Sequence, residues 1–192
     1  VRSAEHAVSL NPLDPTVRSK LARTYLEVDR PSEALAEAAK IQADDPWGRD
    51  GYEIAAQAEG ALGLDALASG DETAARLRFT QVIREAVKVE RRQLEFNQLP
   101  IRFGRNPSVL GQLALATGQA HYYLRNPKLA ETYLQRARSD PYTAGPAEAW
   151  LALVYRSTGE RGKEGWWQKQ PSVRQSFQDQ DFLRLAELPQ LD

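Results

Sequence analysis

The sequence predicts an all-α chain of stacked, antiparallel helix pairs. Three observations carry this. Apolar and small residues recur at helical spacing in short paired segments, as in Leu21, Ala22 and Tyr25 followed by Ala34, Ala38 and Ile41. Each pair is split by a turn, here Asp29-Arg30-Pro31, where Pro restricts its predecessor and suits a helix start. Each pair also ends in a breaker, here Asp44-Asp45-Pro46. Ala34 and Ala38 are small so that the second helix can lie close to the first.

The unit from 15 to 48 sets the register for the rest. Upstream, Ala4, Ala7 and Pro12 fit the second helix and closing Pro of a preceding unit, which gives residues 1–14 that role. A start inside a helix pair at Val1, with no Met in the chain, is expected of a piece of a longer protein, and its first helix is expected to fray. The unit 49–99 begins in register with Tyr52, Ala55, Ala56 and Glu59. Gly63 stands where the turn is due, yet the helical pattern continues through Leu64, Leu67 and Ala68 to Ser69-Gly70-Asp71. The first helix is therefore lengthened by about two turns. Ala75, Phe79 and Val82 open a long second helix, whose tail from Val87 to Leu94 projects beyond an ordinary hairpin. Pro100, Gly104 and Pro107 mark a loop over 100–110.

The unit 111–144 has Gly118 and His121 in its first helix, Asn126-Pro127 at its turn, and Ala130, Leu134 and Ala137 in its second. The unit 145–171 has Leu151, Ala152 and Tyr155, then the turn Thr158-Gly159-Glu160 and a degenerate second helix interrupted by Pro171. Residues 172–192 supply a capping helix, Ser172 to Glu187, and a tail. One end of a stacked array must meet water, so its last unit departs from the pattern.

The pattern resembles the tetratricopeptide repeat, W-x2-L-G-x2-Y…A-x3-F…P over about 34 residues. Leu21, Ala22, Tyr25, Ala34, Ala38, Ile41 and Pro46 carry the resemblance, while Arg18 and Ala38 stand where the pattern has aromatics. It implies an α-solenoid with a right-handed superhelix, whose first helices line a concave groove that holds extended peptides or partner helices. The groove positions that it implies are Ser19 and Arg23, then Glu53 and Gln57, then Leu115, Gln119 and Tyr122, then Ala149, Leu153 and Arg156. Of these, Arg23, Glu53, Gln57, Gln119, Tyr122 and Arg156 are the expected partner-binding residues. The carboxylate clamp for chaperone C-termini needs Lys, Asn and Arg at set positions; Ser19, Arg23, Ile54, Gln112 and Ala116 stand there instead. The resemblance therefore implies a protein or peptide partner other than a chaperone tail.

Chemistry finds no foothold in the sequence. The two His, His6 and His121, lie in different units without ligand-spaced neighbours, and no cysteine is present. His121 takes an aromatic packing position, which suits packing or groove lining. No phosphate loop, dinucleotide fingerprint or nucleophile elbow occurs. The expectation is a non-enzymatic scaffold with no cofactor and no bound metal. Net charge is −1 over 192 residues, which does not favour nucleic acid. No apolar run reaches the roughly 20 residues of a membrane span, so this segment is not expected to insert directly. Arg84, Lys88, Arg91, Arg92, Arg102 and Arg105 alternate with Glu85, Glu90 and Glu95, which suits surface pairs such as Glu85–Lys88 and Arg91–Glu95. Trp166 and Trp167 point about 100° apart on a helix, so one is expected to pack under the final helix.

Two further readings stand beside the scaffold. The run from "LNPLDP" to "LALATGQAHYYL" resembles the soluble repeat tails of some bacterial O-antigen ligase and polymerase proteins. That resemblance implies an accessory domain of a membrane-bound envelope-polysaccharide enzyme. The irregular last unit and projecting hairpin also suit a self-associating homo-oligomer. Compartment is left open by the sequence.

Overall fold

A computed structural model describes the backbone of residues 1–97 and 107–191 and the side chains of 1–92, 111–165 and 167–191. Among these residues there are helices and no strands. The helices are α1 (Arg2–Leu10), α2 (Pro15–Glu27), α3 (Pro31–Asp44), α4 (Asp50–Ala68), α5 (Glu72–Asn97), α6 (Pro107–Tyr123), α7 (Pro127–Arg138), α8 (Ala144–Ser157), α9 (Arg161–Trp167), α10 (Pro171–Ser176) and α11 (Gln180–Glu187). Each packs mainly on its neighbours in sequence: α2 on α3, α4 on α5, α6 on α7 and α8 on α9. The first helices stack in turn, α2 on α4, α4 on α6 and α6 on α8, and α10 extends the row beside α8. This is the layout of an α-solenoid.

One turn device is repeated four times. Asp29, Gly70, Arg125 and Gly159 all take a left-handed backbone, with φ of 56°, 81°, 54° and 74°. The next residue in each case donates its N–H five residues back, to the carbonyls of Tyr25, Ala66, His121 and Tyr155, at 2.8–2.9 Å. The left-handed residue itself donates to the carbonyl three back, in all four. Both bonds together make a Schellman cap, which closes the last turn of the helix and reverses the chain. Tyr25, His121 and Tyr155 are equivalent positions of the sequence pattern. In the lengthened unit the acceptor is Ala66, two turns beyond Glu59, so the insertion keeps the buried face in register. The sequence expectation of two added turns is thus met in α4, which has 19 residues against 13 in α2.

Small residues set the helix separations. Ala22, Ala34 and Ala38 are fully buried between α2 and α3. A Cβ on Gly118 would sit 2.6 Å from Leu134 Cγ, so α6 and α7 touch there without room for a methyl group. Gly63 lies within α4 rather than at a turn, because the Phe79 ring fills its face and would meet a Cβ at 2.8 Å. Ala34→Leu is expected to cost about 1–3 kcal/mol by forcing α2 and α3 apart, measured as a lower urea midpoint.

Departures from the repeat pattern have compensations. Arg18, in a position of the pattern usually aromatic, pairs with Glu37 at 2.8 Å, both side chains being nearly buried. Lys40 closes on the same Glu37 at 2.6 Å. Tyr52, at the equivalent position of the next unit, donates to the Pro46 carbonyl at 3.2 Å and lies under the Arg92 guanidinium, 4.3 Å from its ring centre. That contact and the Arg92–Trp47 contact at 5.7 Å fasten the extended α5 to the end of the first unit.

Two boundaries differ from expectation. α6 starts at Pro107, inside the expected 100–110 loop, since Pro is favoured in the first helical turn; residues 98–106 lie outside the described residues. The capping element comes in two pieces, α10 and α11, separated at 177–179. Asp179 ends the break by capping α11, its carboxylate accepting the Asp181 N–H at 2.9 Å. The Glu85–Lys88 pair forms at 2.7 Å. The Arg91–Glu95 pair and the residues Arg102 and Arg105 lie outside the described side chains. Trp167 is buried, with Arg138 over its ring at 4.9 Å.

Candidate functional site

The six residues expected to line a groove fall into two groups. In the first, α2 and α4 bring Arg23, Glu53 and Gln57 together. Arg23 Nη1 donates to Glu53 Oε1 at 3.1 Å, and Gln57 Nε2 donates to the same oxygen at 3.3 Å. Asp50, which the pattern did not single out, stands 3.6 Å from the other Arg23 terminal nitrogen. Arg23 is over a third exposed, Asp50 nearly half, and Gln57 is half-buried. Glu53 is only 2% exposed, and its Oε2 has no hydrogen-bond partner. Glu53 therefore underpins this cluster from below and does not face the groove as expected. Burial pushes its carboxyl up to about 7, and Asp50 adds to that, against the opposing pull of Arg23 and Gln57. The exposed polar surface is left to Arg23, Asp50 and Gln57.

The second group is largely covered. Gln119 is half-buried on α6. Tyr122 is 7% exposed, with its ring edge-on to Trp150 at 5.4 Å and to Tyr123 at 5.3 Å. Burial raises its phenol pKa. Ala149 and Leu153 are buried too. Tyr122 is thus a packing residue in this structure, not the open groove residue expected. Its ring is packed by Tyr123 and Trp150, and the C-terminal segment reaches its backbone carbonyl through Gln190. Arg156 stays exposed, pairs with Glu164 at 2.9 Å and stands over the Phe177 ring at 5.4 Å. Trp150 and Phe182 join the same aromatic group, and the pattern alone did not mark them, because Trp150 falls between two pattern positions.

His121 is buried and stacks on Tyr133 at 5.5 Å. Burial holds its pKa below the ordinary value and favours the neutral ring. Packing, one of the two roles expected for it, is the role it has. Among the described residues no group of three or more His, Cys, Asp or Glu is placed to hold a metal ion. No helix among them is long and apolar enough to cross a membrane.

No family model matches the chain, and no curated protein matches it. Among solved structures it is similar to the crystal structure of a thermophilic TPR protein of Thermus thermophilus, at 25% identity and a TM-score of 0.68. The match covers 95% of this chain and 85% of that one. The chain has the tetratricopeptide-repeat fold. Within that fold, α2, α4, α6 and α8 stack in one row, and α3, α5, α7 and α9 each pack on the helix before them. Arg23 falls on α2, Asp50 and Gln57 on α4, Tyr122 on α6 and Trp150 on α8.

Proposed function

We propose that this chain is a non-enzymatic scaffold that docks a peptide or partner protein on the concave side of its first two repeats. The observation that carries this reading is the Arg23–Asp50–Gln57 cluster. It is half-exposed, it spans two adjacent first helices, and Glu53 fixes it from beneath. A guanidinium beside a carboxylate and a side-chain amide offers both donors and acceptors, which suits the backbone and polar side chains of an extended peptide. Fold alone would not assign this role, since function resides in a site and not in an architecture.

The reading is tested by selecting binders from a displayed peptide library against the whole chain, then measuring affinity by calorimetry. Removing the guanidinium in Arg23→Ala is expected to weaken the selected peptides about tenfold or more. Lys128→Ala, on the exposed side of the second helix α7, is expected to leave them unchanged. Equal losses from both substitutions, or none from Arg23→Ala, would place the docking surface elsewhere.

A further inference from the structure

The end of the chain lies back against residues of α6 and α8. After α10 extends the row of first helices, the chain does not continue outward. α11 doubles back toward α6, against the direction in which the array grows. At one end of it Phe182 lies edge-on to Trp150 of α8, 5.7 Å between ring centres, and edge-on to Phe177 at 5.2 Å. At the other end the Tyr123 hydroxyl donates to the Leu185 carbonyl at 2.8 Å. The tail then closes the end of α6. The Leu191 N–H donates to the Tyr123 carbonyl at 2.7 Å, and Gln190 Nε2 donates to the Tyr122 carbonyl at 2.9 Å.

Two features separate this segment from an ordinary cap. It meets two of the expected groove residues, since Phe177 lies 5.4 Å under the Arg156 guanidinium and Gln190 donates to the Tyr122 carbonyl. It is also held at few points: from 177 to 191 only Phe182 and Leu191 are buried. A helix of eight residues has no stability of its own in water, so its order depends on that docking. Segments with few buried contacts open at lower free energy than the core.

We propose that residues 177–191 are a releasable occupant of the concave surface over α6 and α8, which a partner reaches only when they let go. The occupant shows the chemistry that this surface takes: a short amphipathic helix carrying an aromatic for the Trp150 pocket and a following chain that caps α6. The inference rests on the concave side being the docking side, and it is tested first without any partner. Native-state hydrogen exchange on the unaltered chain is expected to show α11 amides on the order of 100-fold less protected than those of α8. Exchange of α11 only together with α8 would make it a fixed part of the core and overturn the proposal. Such a result would leave the scaffold role of Arg23, Asp50 and Gln57 standing.

A second measurement adds a labelled peptide of sequence 177–191 to the full chain. The unaltered chain, already occupied, is expected to bind it weakly. Phe182→Ala, which loosens the internal copy, is expected to bind it at least about tenfold more tightly. Equal binding by the two chains, or none by either, would overturn the proposal. If Phe182→Ala does not fold, the exchange result on the unaltered chain decides alone.

Discussion

Trp150→Ala is expected to cost about 3–5 kcal/mol, the range for removing a large buried aromatic. Trp150 is 2% exposed and is the shared partner of Tyr122, Tyr123 and Phe182, with ring centres at 5.4, 5.6 and 5.7 Å. Edge-on contacts of this kind add to the burial of area alone. Its loss opens a cavity between α8, α6 and α11, three elements that cannot all collapse inward together. The damage is also expected to be unequal along the chain. Repeats contact mainly their neighbours, so the third and fourth repeats lose stability before the first. Urea unfolding followed at the C-terminal and N-terminal halves separately would show this as a split transition. A loss below about 1 kcal/mol would mean that the aromatic group is not what closes this end.

The second large effect is on pH dependence. The Glu53 carboxyl is raised from the ordinary 4.5 to about 7 in the folded chain. Between those values the folded state holds a proton that the unfolded state has released. Stability therefore falls as pH rises from about 4.5 to about 7, and this contribution is level above that. A shift of this size corresponds to about 3 kcal/mol at most. Glu53→Gln keeps an oxygen for Arg23 and removes the buried charge. Unfolding free energies at pH 5 and pH 8 are expected to differ by less in this variant than in the unaltered chain. At pH 8 the variant is expected to be the more stable. A variant less stable at pH 8 would show that the Arg23 pair more than offsets the burial of the charge.

The hairpin architecture was legible because its signals are local. Pro31, Pro127 and the Gly70 and Gly159 turns announce helix reversals within a few residues, and the small residues Ala34, Ala38 and Gly118 mark close approach. The two-turn insertion in α4 was legible for the same reason, since adding whole turns leaves the spacing of apolar residues unchanged. What the pattern misjudged was exposure. A position that faces a groove in a repeat tells nothing of what lies over it. The Tyr122 ring is packed edge-on by Trp150, a residue of the next unit, and its carbonyl is met by Gln190, 68 residues later. Glu53 is buried because α2 and α4 close over it and Arg23 reaches across, a contact between repeats that no single repeat encodes. Gly63 stands where a turn was due, and the apolar pattern beyond it already carried the helix through; what the sequence did not show is the reason for a glycine there, the Phe79 ring against its face.

The most direct measurement is a hydrogen-exchange footprint of a bound peptide selected on the whole chain. Docking on the concave side predicts new protection in α2 and α4, around Arg23 and Gln57, and faster exchange in α11 only for peptides that also reach α6 and α8. Protection confined to the second helices α3, α5 and α7, with α2 and α4 unchanged, would contradict it.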